Sequence, residues 1–166
     1  MLQDNEFSPE QCTIFSHNTL ILGVGSPLRS DDNAGLLLCD LLAEKGVECV
    51  KCEYGLENCF DVIIERKPRT LVIVDAAFFE KGKPGDVVLV TEENLVDTVQ
   101  LVTTHNIPVR LVLEVIKRTT KVERVYLIGV YPKTMEIGFD VSSEVRNTIE
   151  KLANVIVECL NRESNG

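Results

Sequence analysis

Short apolar runs recur along the chain, separated by polar stretches that carry most of the glycines and prolines. Thr19-Leu20-Ile21-Leu22 opens a buried strand over 19–24, and a nearly all-round apolar stretch predicts a deeply buried helix over 33–45, with Gly46 as its stop. A strand over 47–54 follows. A helix over 57–67 has Cys59, Val62, Ile63 and Arg66 spaced by three or four, and Pro68 ends it. Leu71-Val72-Ile73-Val74-Asp75 reads as a strand over 70–75, residues 78–85 as a loop, and 86–91 as a fourth strand. The link between the third and fourth strands is too short for a crossover helix, so the fourth is expected to run antiparallel to its neighbour. A short helix is expected over 92–99, then an extended or irregular stretch to Thr104. Val109, Val112, Leu113 and Ile116 form one face of a helix over 107–118 that tolerates Pro108 in its first turn. A strand over 124–130 and a loop over 131–141 precede the last helix. Ser142 or Ser143 caps it, and Val145, Ile149, Leu152, Ile156 and Cys159 form its stripe.

This order predicts an α/β fold: a single three-layer domain over 19–162, with a mostly parallel, twisted five-stranded sheet, one antiparallel strand and helices on both faces. Residues 1–18 lack apolar periodicity and are expected to form a flexible extension in which His17 has only an incidental role.

Composition changes this picture little. The chain has 166 residues, suited to one domain, and 45% of them are hydrophobic. No apolar run has the length of a membrane span, and the polar N-terminus lacks the pattern of a signal peptide, so a cytoplasmic protein is expected. A net charge of -9 without a basic cluster argues against nucleic acid as a partner. Of six cysteines, Cys49 and Cys52 form a C-x-x-C. On a strand the two point to opposite faces, and neither a helix start nor a second ligand pair completes a redox or zinc site. Most of the cysteines are expected to be small core hydrophobes in a reducing compartment.

Candidate chemistry concentrates at strand ends. Gly23-Val24-Gly25-Ser26-Pro27-Leu28-Arg29-Ser30-Asp31-Asp32-Asn33-Ala34-Gly35 joins the first strand to the first helix, the position where α/β folds place ligands. Asp75 closes the third strand, and Thr103-Thr104-His105-Asn106-Ile107-Pro108 is a polar turn before a helix. A dinucleotide site is disfavoured because position 28 is Leu rather than Gly and two aspartates would face the pyrophosphate. A phosphate-binding P-loop lacks its Gly-Lys-Ser/Thr. A serine hydrolase built on Ser26, Asp75 and His105 lacks the nucleophile-elbow glycines, and Pro27 removes an oxyanion-hole N–H. Asp32, Asp75 and His105 suit a divalent metal such as Zn, Ni, Mn or Fe(II), leaving coordination positions open. Each residue also has a plain structural explanation: Asp32 as a helix cap, Asp75 as a loop anchor, His105 bonded to backbone. For Asp31 the capping role is preferred.

These segments, together with Pro84-Gly85 and Leu127-Ile128-Gly129-Val130-Tyr131-Pro132, resemble the hydrogenase maturation endopeptidases that process the large subunit of nickel–iron (NiFe) hydrogenases. The likeness runs in order from about residue 19 to 160. It is nearest to the branch serving formate-hydrogenlyase-type and archaeal hydrogenases, for which Thr-Thr-His-Asn-x-Pro is characteristic. The resemblance places the nickel-contacting acids on Asp32 and Asp75 and the histidine on His105, as both metal ligands and catalytic residues. It implies a nickel-dependent endopeptidase using metal-assisted peptide hydrolysis. Its partner would be the large-subunit precursor, whose C-terminal tail is cut after nickel insertion. The nickel would arrive with the precursor and would not be tightly held by the free enzyme. The chain departs from the family pattern at Ser26, where Asn is usual, at Asn33, where Gly is common, and around 53–58, where Tyr54 takes a place often held by Gly. Two other functions fit the same residues: a non-catalytic chaperone that recognises the nickel-loaded subunit, and an autonomous metallohydrolase holding Zn or Mn.

Overall fold

The computed structural model describes residues 1–2, 5–95, 99–101 and 107–166. The strands are β1 (Thr19–Gly25), β2 (Val50–Glu53), β3 (Thr70–Phe79), β4 (Val87–Thr91), β5 (Val99–Leu101) and β6 (Arg124–Val130). The helices are α1 (Ala34–Glu44), α2 (Phe60–Arg66), α3 (Val109–Thr119) and α4 (Ser143–Asn165). The sheet runs β2-β1-β3-β6-β4, with β5 attached to the far end of β3. β2, β1, β3 and β6 are mutually parallel, and β4 runs antiparallel to β6.

Alternation along the strands decides the layers. Val72 and Val74 of β3 face one way, into a core with Leu38 and Leu42 of α1 and Ile149, Leu152 and Ile156 of α4. Leu71 and Ile73 face the other way, against Ile63 of α2 and Val112, Leu113 and Ile116 of α3. Both faces of the parallel strands are therefore covered, as continuous Val/Ile/Leu runs require. Ser142 caps α4, its hydroxyl accepting the Val145 N–H at 3.5 Å.

Four expectations are corrected. The third strand does not stop at Asp75: Ala76, Ala77, Phe78 and Phe79 continue it, and Ala77 to Phe79 pair with β5, making six strands. The fourth strand is antiparallel, but β6 lies between it and β3. The N-terminal segment is not a loose extension. Phe7 and Phe15 stack edge-to-face at 5.7 Å, Phe15 is fully buried, and the Leu2 N–H donates to the Val87 carbonyl at 2.8 Å. Finally, the cysteines are not free thiols: Cys12 bonds Cys159, Cys39 bonds Cys49, and Cys52 bonds Cys59. Cys49 and Cys52 do point to opposite faces, so each takes a different partner.

Candidate functional site

The C-terminal end of β1 lies beside the middle of β3, their pairing ending at Gly23 with Val74. Asp75 is the next residue of β3. It follows Leu71 and Ile73 in the two-residue alternation and so faces the α2/α3 side of the sheet. It is 3% exposed, and its Oδ1 accepts the Ala76 N–H at 2.8 Å.

Asp32 reaches the same place from the β1–α1 turn. Residues Ser30–Asn33 form one 3-10 turn ahead of α1. The Asp32 carbonyl accepts the Ser26 N–H at 3.1 Å, and its own N–H donates to the Arg29 carbonyl at 3.0 Å. The turn folds back so closely on β1 that a Cβ at Gly25 would overlap the Asp32 carbonyl, so only glycine permits this backbone contact. Gly35 has the same function one turn later: a Cβ there would run into the Val74 and Val24 carbonyls. The glycines of the motif thus set how closely α1 approaches the strand ends, and with it the position of Asp32.

The Asp32 side chain is buried, and its Oδ1 has no hydrogen-bond partner among the described residues. Burial pushes its carboxyl up to about 7, with the Arg29 charge pulling in the opposite direction. Asp75 is held well above the usual carboxylate range, first by burial, then by the charge of Asp32, against the Ala76 hydrogen bond. The two acids therefore feel each other's charge inside the protein. Such a pair is costly when ionised unless a cation or a shared proton intervenes. Hard oxygen donors, one of them unsatisfied, fit a divalent cation. No cluster of three or more His, Cys, Asp or Glu occurs among the described residues, and His105 lies outside them.

Asp31 proves structural in a way that a cap does not describe. Its Oδ2 accepts the Lys133 and Thr134 N–H groups at 2.7 and 3.1 Å and the Ser142 hydroxyl at 2.9 Å, and its Oδ1 accepts the Ser142 N–H at 2.7 Å. Asp31 therefore ties the loop after β6 and the start of α4 to the β1–α1 turn. The Ser30 N–H adds to this by donating to the Gly138 carbonyl at 2.9 Å. In sequence the partners lie about a hundred residues apart, and the only local signal was the Asp31-Asp32 doublet. Ser26 is not poised as a nucleophile: it is buried, and its hydroxyl accepts the Leu28 N–H at 3.3 Å.

A model of the HycI hydrogenase maturation protease family matches residues 55–159, well over half of the chain. The chain belongs to the hydrogenase maturation protease family. Membership agrees with solved structures. The NiFe hydrogenase maturation protease HycI from Thermococcus kodakarensis is 28% identical at a TM-score of 0.75, over 90% of this chain and 97% of that one. The maturation protease HybD from the same organism is 25% identical at 0.72, over 84% and 97%. The endopeptidase HycI from Escherichia coli shares the fold at 24% identity and a TM-score of 0.67, over 82% and 86%. A search of curated proteins found no match. The fold brings Asp32 near enough for its charge to raise the Asp75 carboxyl.

Proposed function

We propose that this protease is an endopeptidase that removes the C-terminal extension of a NiFe-hydrogenase large-subunit precursor after nickel has been inserted. The observation that carries the reading is the pair Asp32 and Asp75, two buried carboxylates close enough for the Asp32 charge to raise Asp75, with one Asp32 oxygen lacking a partner among the described residues. In this reading the pair would receive a cation delivered by the substrate.

In this reading Asp32 and Asp75, with His105, complete the coordination of nickel that the precursor brings. A divalent ion so bound polarises a carbonyl and makes water more acidic. The chain's own contribution is positional. Gly25 and Gly35 let the Asp32 turn close onto the strand ends, Asp31 holds the flanking loop against it, and the apolar strands beneath exclude water from Asp75. In this reading burial and the Asp32 charge, which raise the Asp75 carboxyl well above the usual range, favour a proton at the pair until the cation arrives.

Asp75→Asn and His105→Ala variants test the roles. Each is expected to fold and to process the nickel-loaded precursor at least 100-fold more slowly, read by intact mass. Processing by both at the wild-type rate overturns the assignment. A wild-type protein that binds the loaded precursor and leaves its mass unchanged is the chaperone instead. A purified protein carrying stoichiometric Zn or Mn is the autonomous metallohydrolase.

A further inference from the structure

The Cys52–Cys59 disulfide closes a short loop beside the site. Cys52 lies in β2, whose pairing with β1 sets Val24 opposite Cys52 and Gly25 opposite Glu53. The chain then leaves the sheet sharply, with Tyr54 at φ 65° and Gly55 at φ 154°, and one 3-10 turn over Leu56–Cys59 leads to α2. A tyrosine in the left-handed region is held there against its own preference. The Tyr54 N–H donates to the Gly25 carbonyl at 2.8 Å, and the Asn58 side-chain amide donates to the Glu53 carbonyl at 2.7 Å. Gly25 is the residue whose missing Cβ admits the Asp32 carbonyl. On the other side of the loop, Leu56 and Glu57 line the same small hollow as Asp75. The loop therefore touches the backbone that places Asp32 and borders the surroundings of Asp75.

We propose that this disulfide positions the site: closed, it holds residues 53–58 as a fixed wall between the Asp32 turn and Asp75, and opened, it loosens that wall and weakens the hold on the substrate. The inference rests on the endopeptidase reading above. It makes Cys52 and Cys59 positioning residues, since they act through the loop they close. The other two disulfides lie elsewhere. Cys39–Cys49 fastens α1 to the residue before β2, at the opposite end of that strand, and Cys12–Cys159 ties the N-terminal segment to α4. Within the 53–58 loop, the Gly55 N–H reaches the Cys52 carbonyl only at 3.4 Å. Once the sulfur bond is gone, a strained tyrosine rests on few hydrogen bonds, and the loop relaxes away from Gly25.

Cys52 and Cys59 are 0% and 1% exposed, so a reductant reaches them only when the loop opens. A dithiol then reduces the bond in two steps. Its thiolate attacks one sulfur, and the other cysteine leaves as a thiolate that takes up a proton; the second thiol of the reductant then displaces the remaining cysteine from the mixed disulfide. The products are two cysteine thiols and a cyclic, oxidised reductant, with two electrons passed to the protein. Substrate binding is thereby tied to the redox state of the surroundings.

Two full-length double variants test this: Cys52→Ser with Cys59→Ser, and Cys39→Ser with Cys49→Ser. The disulfides they remove span 7 and 10 residues, so chain entropy predicts similar losses of stability from both. Folding is checked by circular dichroism, and kcat and KM for the nickel-loaded precursor are read by intact mass. The first variant is expected to raise KM about 10-fold with kcat nearly unchanged, and the second to change neither. Dithiothreitol added to the second variant, which retains Cys52–Cys59, is expected to raise its KM by the same factor. Equal kinetics for the two variants overturns the positioning role while leaving the protease reading in place. Should the first variant not fold, the dithiothreitol series carries the test, and an unchanged KM overturns the proposal. If the wild type cuts nothing, the protease reading fails, and hydrogen exchange over 25–32 decides. Acceleration in the Cys52→Ser/Cys59→Ser variant alone supports the lock, and equal exchange in both variants overturns it.

Discussion

Replacing Asp32 by Asn should stabilise the protein, and by an amount that depends on pH. In the fold the Asp32 carboxyl titrates near 7 instead of 3.8, because burial penalises its charged form. A raised folded-state pKa means that the stability present below about pH 4 is lost as pH rises towards 7. The full shift corresponds to about 4 kcal/mol at 1.36 kcal/mol per unit. The opposing Arg29 charge is already contained in this shift, and a discount for screening leaves about 2 kcal/mol. Removing the charge also relieves Asp75, whose carboxyl is raised in part by Asp32, so the two titrate as a pair. Asp32→Asn should therefore match the wild type at pH 4 and exceed it by about 2 kcal/mol at pH 8. Urea unfolding at both pH values, under non-reducing conditions and with chelator present, measures the difference. A variant less stable than the wild type at pH 8, or an advantage unchanged between pH 4 and 8, would refute the burial of an uncompensated charge at this position.

Other perturbations separate the scaffold from the site. Asp31→Ala removes four hydrogen bonds to Lys133, Thr134 and Ser142 and should cost about 3–5 kcal/mol, with hydrogen exchange accelerating selectively over 133–142. Gly35→Ala forces a methyl against the Val74 and Val24 backbone and should cost about 3 kcal/mol. Gly46→Ala meets open space at φ 76° and should cost about 1 kcal/mol; equal urea midpoints for the two would contradict the close helix–strand approach. Breaking Cys12–Cys159, which spans 147 residues, should lower stability by about 5 kcal/mol on chain entropy alone. Cys52–Cys59, which spans 7 residues, should contribute about 2 kcal/mol on the same basis.

What could be read from the sequence follows from how local each feature is. The continuous apolar run Leu71-Val72-Ile73-Val74 is contained in the strand itself, so a strand buried on both faces and carrying Asp75 was legible, whereas the face that Asp75 takes was not. The Gly23-Val24-Gly25 turn was legible for the same reason, since glycines before an acidic pair imply a close backbone approach. Strand neighbours are not local. The seven residues between β3 and β4 can bridge adjacent strands or step over one, and β6, which comes later in the chain, takes the place between them. The end of β3 was placed too early because Gly82, Pro84 and Gly85 marked a loop, while Ala76 to Phe79 are apolar enough to continue the strand until β5 pairs with them.

Disulfide partners are invisible in spacing, and the polar N-terminus concealed Phe7, Ile14 and Phe15, which only tertiary contact buries. The ties from Asp31 to the 133–142 loop are equally non-local, so its role could not be told from capping. At the site, sequence placed Asp32 and Asp75 at strand ends, and the fold added the effect of the Asp32 charge on Asp75 and an Asp32 oxygen with no partner among the described residues.

The most direct test of the central claim is the intact mass of a NiFe-hydrogenase large-subunit precursor incubated with this protein, with and without prior nickel loading. The account predicts loss of one discrete C-terminal fragment from the nickel-loaded precursor alone. An unchanged mass in both samples, or equal cleavage without nickel, would contradict it.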